Sequence, residues 1–182
     1  MKKTIWYDDY IRQTDDKDII FLHLIKDYIF HHGFRYMVYF RKAHNSKGLK
    51  RLYYEYKLFK IGRKYGIEIK SSTKIGRGLK LIHAYNITIS PNAVLGDNVN
   101  IMKGATIGLA AGKKAGVPTI GNCVYIGINS TIVGGIEIGD DVMIAPNAFI
   151  NVDVPSHSVV VGNPCKIIHK DNATKEYIWD KV

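Results

Sequence analysis

Aliphatic residues recur at every sixth position through most of this chain. Ile69, Ile75 and Leu81 make a first run, Ile89, Leu95, Ile101 and Ile107 a second, and Ile120, Ile126, Ile132, Ile138, Ile144 and Ile150 a third. A helix of period 3.6 cannot keep every sixth residue on one side. Four places after many of these stands a second small or aliphatic residue, as in Thr73, Val99, Ala105, Val124, Ser130, Ile136, Val142, Ala148 and Val154. Both positions are therefore expected to face one interior. Glycine often follows the leading aliphatic residue (Gly76, Gly96, Gly108, Gly121, Gly127, Gly139), as suits a backbone that turns every few residues. A short strand and a turn, repeated, predict a mainly β chain wound into a parallel β-helix.

The chain has 182 residues, of which 46% are hydrophobic, enough for one repeat domain and a smaller element. Three parts follow from the pattern: a helical region over residues 1–66, the β-helix over 67–168 and a tail over 169–182. Residues 15–32 predict a first helix, with Thr14, Asp15 and Asp16 as cap candidates and Ile20, Phe21, Leu24, Ile25 and Tyr28 at helical spacing. Residues 34–44 predict a second helix and Asn45 to Gly48 a turn. In the third, Leu49, Leu52, Tyr53, Tyr56 and Phe59 form an apolar face. Gly62 and Gly66 mark the change of period. The β-helix is interrupted by a two-residue slip at Ile87 and Thr88 and by the insertion GLAAGKKAGVPT between Ile107 and Ile120. A loop held by a rigid scaffold is a common place for function.

Residues 1–66 carry 15 Lys or Arg against 7 Asp or Glu, and residues 67–182 carry 11 against 9. Between Arg35 and Lys64 ten basic residues face one acid, Glu55, among many aromatic residues. Such a segment suits the surface of an anionic membrane, or it packs its aromatic face on the first coil or on another subunit and leaves the charges as a solvated rim. The apolar stretch Ile19 to Ile25 is too short to span a bilayer, and no cleavage pattern follows Lys2 and Lys3, so the expected location is cytoplasmic. Cys123 and Cys165 offer neither a disulfide framework nor metal-ligand spacing.

Three stretches, GFRYMVYFRKAH, IEIKSSTKIGRGLKLIHAYNITIS and VPSHSVVVGNPCKII, resemble the left-handed β-helix hexapeptide acyltransferases, and within them the serine O-acetyltransferase group. The resemblance covers roughly residues 34–170. It implies a catalytic pair at Glu68 and His83, with glutamate where the family usually has aspartate. Neutral imidazole near pH 7 is a suitable base for a hydroxyl attacking a thioester, and a carboxylate on its other nitrogen fixes the tautomer and stabilises the imidazolium. No acyl-enzyme is required. The resemblance also implies acetyl-coenzyme A as co-substrate, a homotrimer with active sites between subunits, and a pantetheine arm along the coil edge at Gly127, Ile128, Ala145 and Asn147. Met143 stands where the family often has lysine, which leaves Lys113, Lys114 and Lys166 as the candidates for the phosphates. His157 lies in a turn that recurs as structure, and His23, His31, His32, His44 and His169 are expected to be solvated or capping.

The departures bear on the acceptor. The family's second histidine, before the proline that follows the loop, is replaced by Val117 beside Pro118, and the helical region lacks acidic counterparts for a substrate ammonium. The expected function is thus an acetyl-CoA-dependent O-acetyltransferase acting on a hydroxyl of a sugar or surface-polysaccharide precursor, nucleotide-linked, lipid-linked or polymeric. The alternatives are a serine O-acetyltransferase of cysteine biosynthesis and a non-catalytic scaffold with a basic phosphate-binding surface. The basic segment carries no known nucleic-acid motif, so no nucleic-acid partner is expected. No metal is expected either: a zinc hydratase needs three histidine ligands, and the repeats before residue 157 supply only His83.

Overall fold

The computed structural model describes residues 5–14 and 21–182. From Ile67 the repeat winds into a parallel β-solenoid of about five coils with three sheets. The first sheet stacks β1 (Ile67–Ile69), β4 (Ile87–Ile89), β7 (Thr106–Gly108), β10 (Thr131–Val133) and β13 (Phe149–Ile150). The second stacks β2 (Lys74–Ile75), β5 (Val94–Leu95), β8 (Thr119–Ile120) and β11 (Glu137–Ile138). The third holds β3 (Lys80–Ile82), β6 (Asn100–Met102), β9 (Tyr125–Ile126), β12 (Val142–Ile144), β14 (Ser158–Val161) and β15 (Lys166–His169). Every leading aliphatic residue of the repeat points inward, and all but the half-buried Ile75 are no more than 3% exposed. The nine second-position residues are buried with them. Each buried Ile or Leu contributes about 1.5–3 kcal/mol, so the six-residue period itself encodes the core.

Pairing register shows where the regular coil is broken. Ile89 pairs with Ile107, 18 positions on, and Thr131 with Phe149, again 18 on. Ile67, however, pairs with Ile87, 20 positions on. The two extra residues do not lie at Ile87 and Thr88, which are both in β4. They swell the preceding corner, His83 to Asn86, whose ends take left-handed backbone conformations, His83 at φ 49° and Asn86 at φ 52°. Thr106 pairs with Thr131, 25 positions on, and the surplus there is the predicted loop.

Four helices precede the solenoid: α1 (Ile5–Thr14), α2 (Phe21–Phe30), α3 (His32–His44) and α4 (Gly48–Tyr65). The single helix expected over 15–32 is thus corrected. Thr14 ends α1, residues 15–20 lie outside the described residues, and the chain breaks at His31 before α3. Gly33 lets the start of α3 lie close against the solenoid, since a Cβ there would stand 2.9 Å from that of Ala84. Helix α3 joins the solenoid core through Tyr36, Met37 and Phe40. Its buried Arg41 bonds both oxygens of Asp9, at 2.8 and 3.1 Å, and the carbonyls of Ile75 and Gly76.

Helix α4 turns its predicted apolar stripe outward. Its core-facing side is Leu58 and Gly62, not the stripe Leu49, Leu52, Tyr53, Tyr56 and Phe59, all of which are more than half exposed. A Cβ at Gly62 would lie 2.5 Å from the Ile67 carbonyl, so only glycine lets the helix lie this close to β1. Gly66 ends the helix in the left-handed region at φ 71°, its N–H donating to Gly62 O.

The tail is no separate unit. After β15 pairs antiparallel to β14, the chain returns along the third sheet to the first coil. Tyr177 packs on Tyr125 with ring centroids 4.5 Å apart, and its carbonyl accepts from Asn100 Nδ2. Asp180 reaches Lys80 and the fully buried Arg12, whose guanidinium also donates to Asn100 Oδ1 and Gly78 O. The C-terminal segment thereby clamps α1 to the solenoid.

Candidate functional site

Glu68 is the middle residue of β1, exposed between buried Ile67 and Ile69 because alternate strand residues face opposite sides. Beneath it the buried Tyr36 hydroxyl donates to Ile69 O at 3.0 Å and accepts from Ile69 N–H at 3.1 Å, which fixes the strand. Burial, and to a lesser degree the neighbouring Glu68 charge, pushes the Tyr36 phenol well above its ordinary range, so it stays protonated. Glu68 lines a groove of about 1020 Å³ between α4 and the first two coils, shared with Arg51, Glu55, Phe59 and Ser90. Ser71 and Arg51 donate to Glu55 at 2.7 and 2.9 Å and hold its carboxyl below the usual range.

His83 occupies the swollen corner after β3, exposed to solvent. Its carbonyl accepts from Tyr85 N–H, and the next carbonyl, Ala84 O, lies 3.0 Å from His32 Nε2. His32 stacks on Tyr65 at 3.9 Å and meets Tyr85 edge-on at 4.6 Å. Burial lowers the His32 pKa, so the ring is neutral near pH 7 with its proton on Nε2 for Ala84. Asn86 N–H donates to Tyr65 O and closes the corner against the end of α4. His32 was expected to be solvated or capping. It is instead the prop of the His83 corner, through a contact made across 52 residues. His44 is likewise tied down, Nδ1 to Ser71 O at 2.8 Å. His157 is structural as expected, with Nδ1 2.9 Å from Asp141.

Glu68 lies on the strand that opens the first coil and His83 on the corner that closes it; no hydrogen bond or ion pair joins them, and the groove that Glu68 lines does not include His83. His83 heads a column of corners between the third and first sheets. Gly104 N–H donates to Tyr85 O in the next corner, and two coils on come Gly127 and Ile128, then Ala145 and Asn147. The four residues expected along the coil edge do meet there, with Asn147 N–H donating to Ile128 O at 2.8 Å. The N–H groups of Gly127 and Ala145 are spent inside the solenoid, on Ile144 O and Val160 O. Of the three lysines, Lys166 pairs with Val161 where the column continues one coil beyond Ala145, and Lys113 and Lys114 lie away from it. Lys113 and Lys114 sit on the loop at the corner between the first and second sheets, where Lys114 pairs with Asp153 at 2.7 Å and its carbonyl accepts from Gly135 N–H. Lys166 opens β15 at the end of the solenoid.

Residues 118–151 match the family described as bacterial transferase hexapeptide (six repeats). Serine acetyltransferase from Helicobacter pylori is 43% identical over 108 residues, 58% of this chain and 63% of that protein. Serine acetyltransferase 4 of Arabidopsis thaliana is 40% identical over 128 residues, 62% of this chain and 36% of that protein. The structure of serine acetyltransferase from Brucella abortus superposes with a TM-score of 0.76 at 27% identity, covering 93% of this chain and 69% of that one. The same protein in complex with coenzyme A gives 0.73, also at 27%, covering 92% and 66%. Residues 118–151 thus carry the hexapeptide-transferase repeat, and the chain around them winds into a β-solenoid. The relatives named are serine acetyltransferases, to which the chain is similar in sequence and in fold. The chain spans from about a third to under two thirds of the length of the curated relatives named.

Proposed function

We propose that this protein is an acetyl-coenzyme A-dependent O-acetyltransferase with His83 as general base and serine as acceptor. The observation that carries the reading is His83 itself, an exposed imidazole on a propped corner at the head of the column where Ile128 and Asn147 meet. The neutral imidazole takes the acceptor hydroxyl proton as the oxygen attacks the thioester carbonyl. The tetrahedral intermediate collapses with loss of the coenzyme A thiolate, and the imidazolium returns the proton to that sulfur. Glu68 is the carboxylate that stabilises the imidazolium, and catalytic hydrogen bonds of this kind often close only when substrate binds. The coenzyme lies along the corner column in a homotrimer, so that a neighbouring subunit supplies the other wall. Similarity to serine acetyltransferases, one of them in complex with coenzyme A, supports donor and acceptor alike. The sugar or polysaccharide acceptor expected from the sequence gains no support from these relatives. One feature still favours it as a second reading: Val117, half-buried beside buried Pro118, presents no polar group to an amino acid.

Thiol release from acetyl-coenzyme A, followed with serine and with a panel of sugars, tests the assignment. Serine-dependent release is expected, with His83→Ala lowering the rate about 10²–10⁴-fold and Glu68→Gln lowering it less. Near-normal turnover by His83→Ala refutes the mechanism, and release with sugars alone transfers the acceptor to the second reading. Light scattering that shows an active monomer refutes the shared site.

A further inference from the structure

We propose that the outward half of α4 is a docking surface for an anionic lipid bilayer. Residues of a helix are spaced about 100° apart, and on that basis nine of the eighteen residues of α4 share the half-circumference opposite Leu58. Five are large and apolar: Leu49, Leu52, Tyr53, Tyr56 and Phe59, with Leu49 86% exposed and Leu52 62%. The other four are Lys57, Lys60, Arg63 and Lys64. No acid stands among them, because Glu55 turns inward to Ser71 and Arg51.

Cations and rings form one layer on this face. Lys57 Nζ lies 5.4 Å from the Tyr53 ring centre, Lys60 Nζ 5.7 Å from that of Tyr56, and the Arg63 guanidinium carbon 5.5 Å from that of Phe59. An anionic bilayer complements both halves of this arrangement, since aromatic and leucine side chains enter the headgroup boundary while the basic heads meet lipid phosphates. Among the described residues no helix is long and apolar enough to cross a membrane, so the contact is superficial. A second copy of the same face is a poorer partner, because it would bring two rows of four cations together in a desolvated contact. Nucleic acid would satisfy the cations but not Leu49 and Leu52, which have no phosphate or base edge to meet.

Flotation with vesicles of phosphatidylcholine alone and of phosphatidylcholine mixed with phosphatidylglycerol tests the proposal. The full chain is expected to float with the mixed vesicles and not with the neutral ones. Replacing the exposed Lys60, Arg63 and Lys64 with glutamine should weaken binding ~10²-fold, because each basic residue near an anionic surface supplies roughly a fivefold factor. Leu49→Ser with Leu52→Ser should also weaken it, with an unchanged circular dichroism spectrum, since both side chains are exposed. Absence of flotation at low salt overturns the proposal, as does flotation indifferent to the leucine substitutions. If those substitutions lower the assembled mass in light scattering, the face belongs to a second copy; if both variants lose an affinity for duplex DNA, it belongs to nucleic acid. Either result also overturns the bilayer.

Discussion

Gly127 lies directly against the backbone of the next coil on the candidate site's own column, and Gly127→Ala measures how much of that corner is packing. A Cβ added there would stand 2.6 Å from Ile144 O, 2.7 Å from Pro146 N and 2.8 Å from the Ala145 carbonyl carbon. All three are backbone atoms of the next coil, so no side chain can rotate away and the coils must part. Overpacking of this kind costs about 3 kcal/mol, the upper end of the usual range. For a chain of this length each kcal/mol moves the midpoint by roughly 2–4 °C, so Tm should fall by about 6–12 °C. Gly108→Ala is the control, since its added Cβ would meet only side chains at ordinary contact distance, Val133 at 3.5 Å and Thr106 at 3.8 Å. That variant should be neutral or gain up to about 1 kcal/mol from reduced freedom of the unfolded chain. Thermal unfolding followed by circular dichroism compares the two side by side. If Gly127→Ala melts with Gly108→Ala, the coils are not in the contact argued here.

Two further predictions concern the supports of the site. His32 has a depressed pKa in the folded state, so below about pH 6.5 the unfolded chain binds its proton more readily and stability falls as pH falls. His32→Phe keeps a ring against Tyr65 and should flatten the decline of Tm between pH 7.5 and 5.5; an unchanged slope refutes the assignment. Arg12→Met leaves Asp180, Asn100 Oδ1 and Gly78 O without their shared donor in a buried site. It should cost about 3–5 kcal/mol in urea unfolding, and a loss below about 1 kcal/mol would mean that the tail clamp is dispensable.

The sequence by itself determined the solenoid, because a six-residue period needs no tertiary information: each leading residue is buried by the copy one coil away. It located the loop and the end of α4 for the same local reason, since Gly66 must take a left-handed conformation where the period changes. It also put Glu68 and His83 forward, through a resemblance carried by a stretch whose spacing the fold preserves. It could not show that the slip is a swollen corner and not a break at Ile87, because the register of a coil is set by the coil that follows it. Only the tertiary structure decided which side of α4 faces the core. The outward stripe is the more apolar one, and the choice falls on Leu58 and Gly62 because only a side chain as small as glycine admits the approach to β1. The roles of His32 and the tail were illegible for a related reason. His32 meets Ala84 and Tyr85 across more than fifty residues and Arg12 meets Asp180 across 168, and no local pattern records contacts made at that separation.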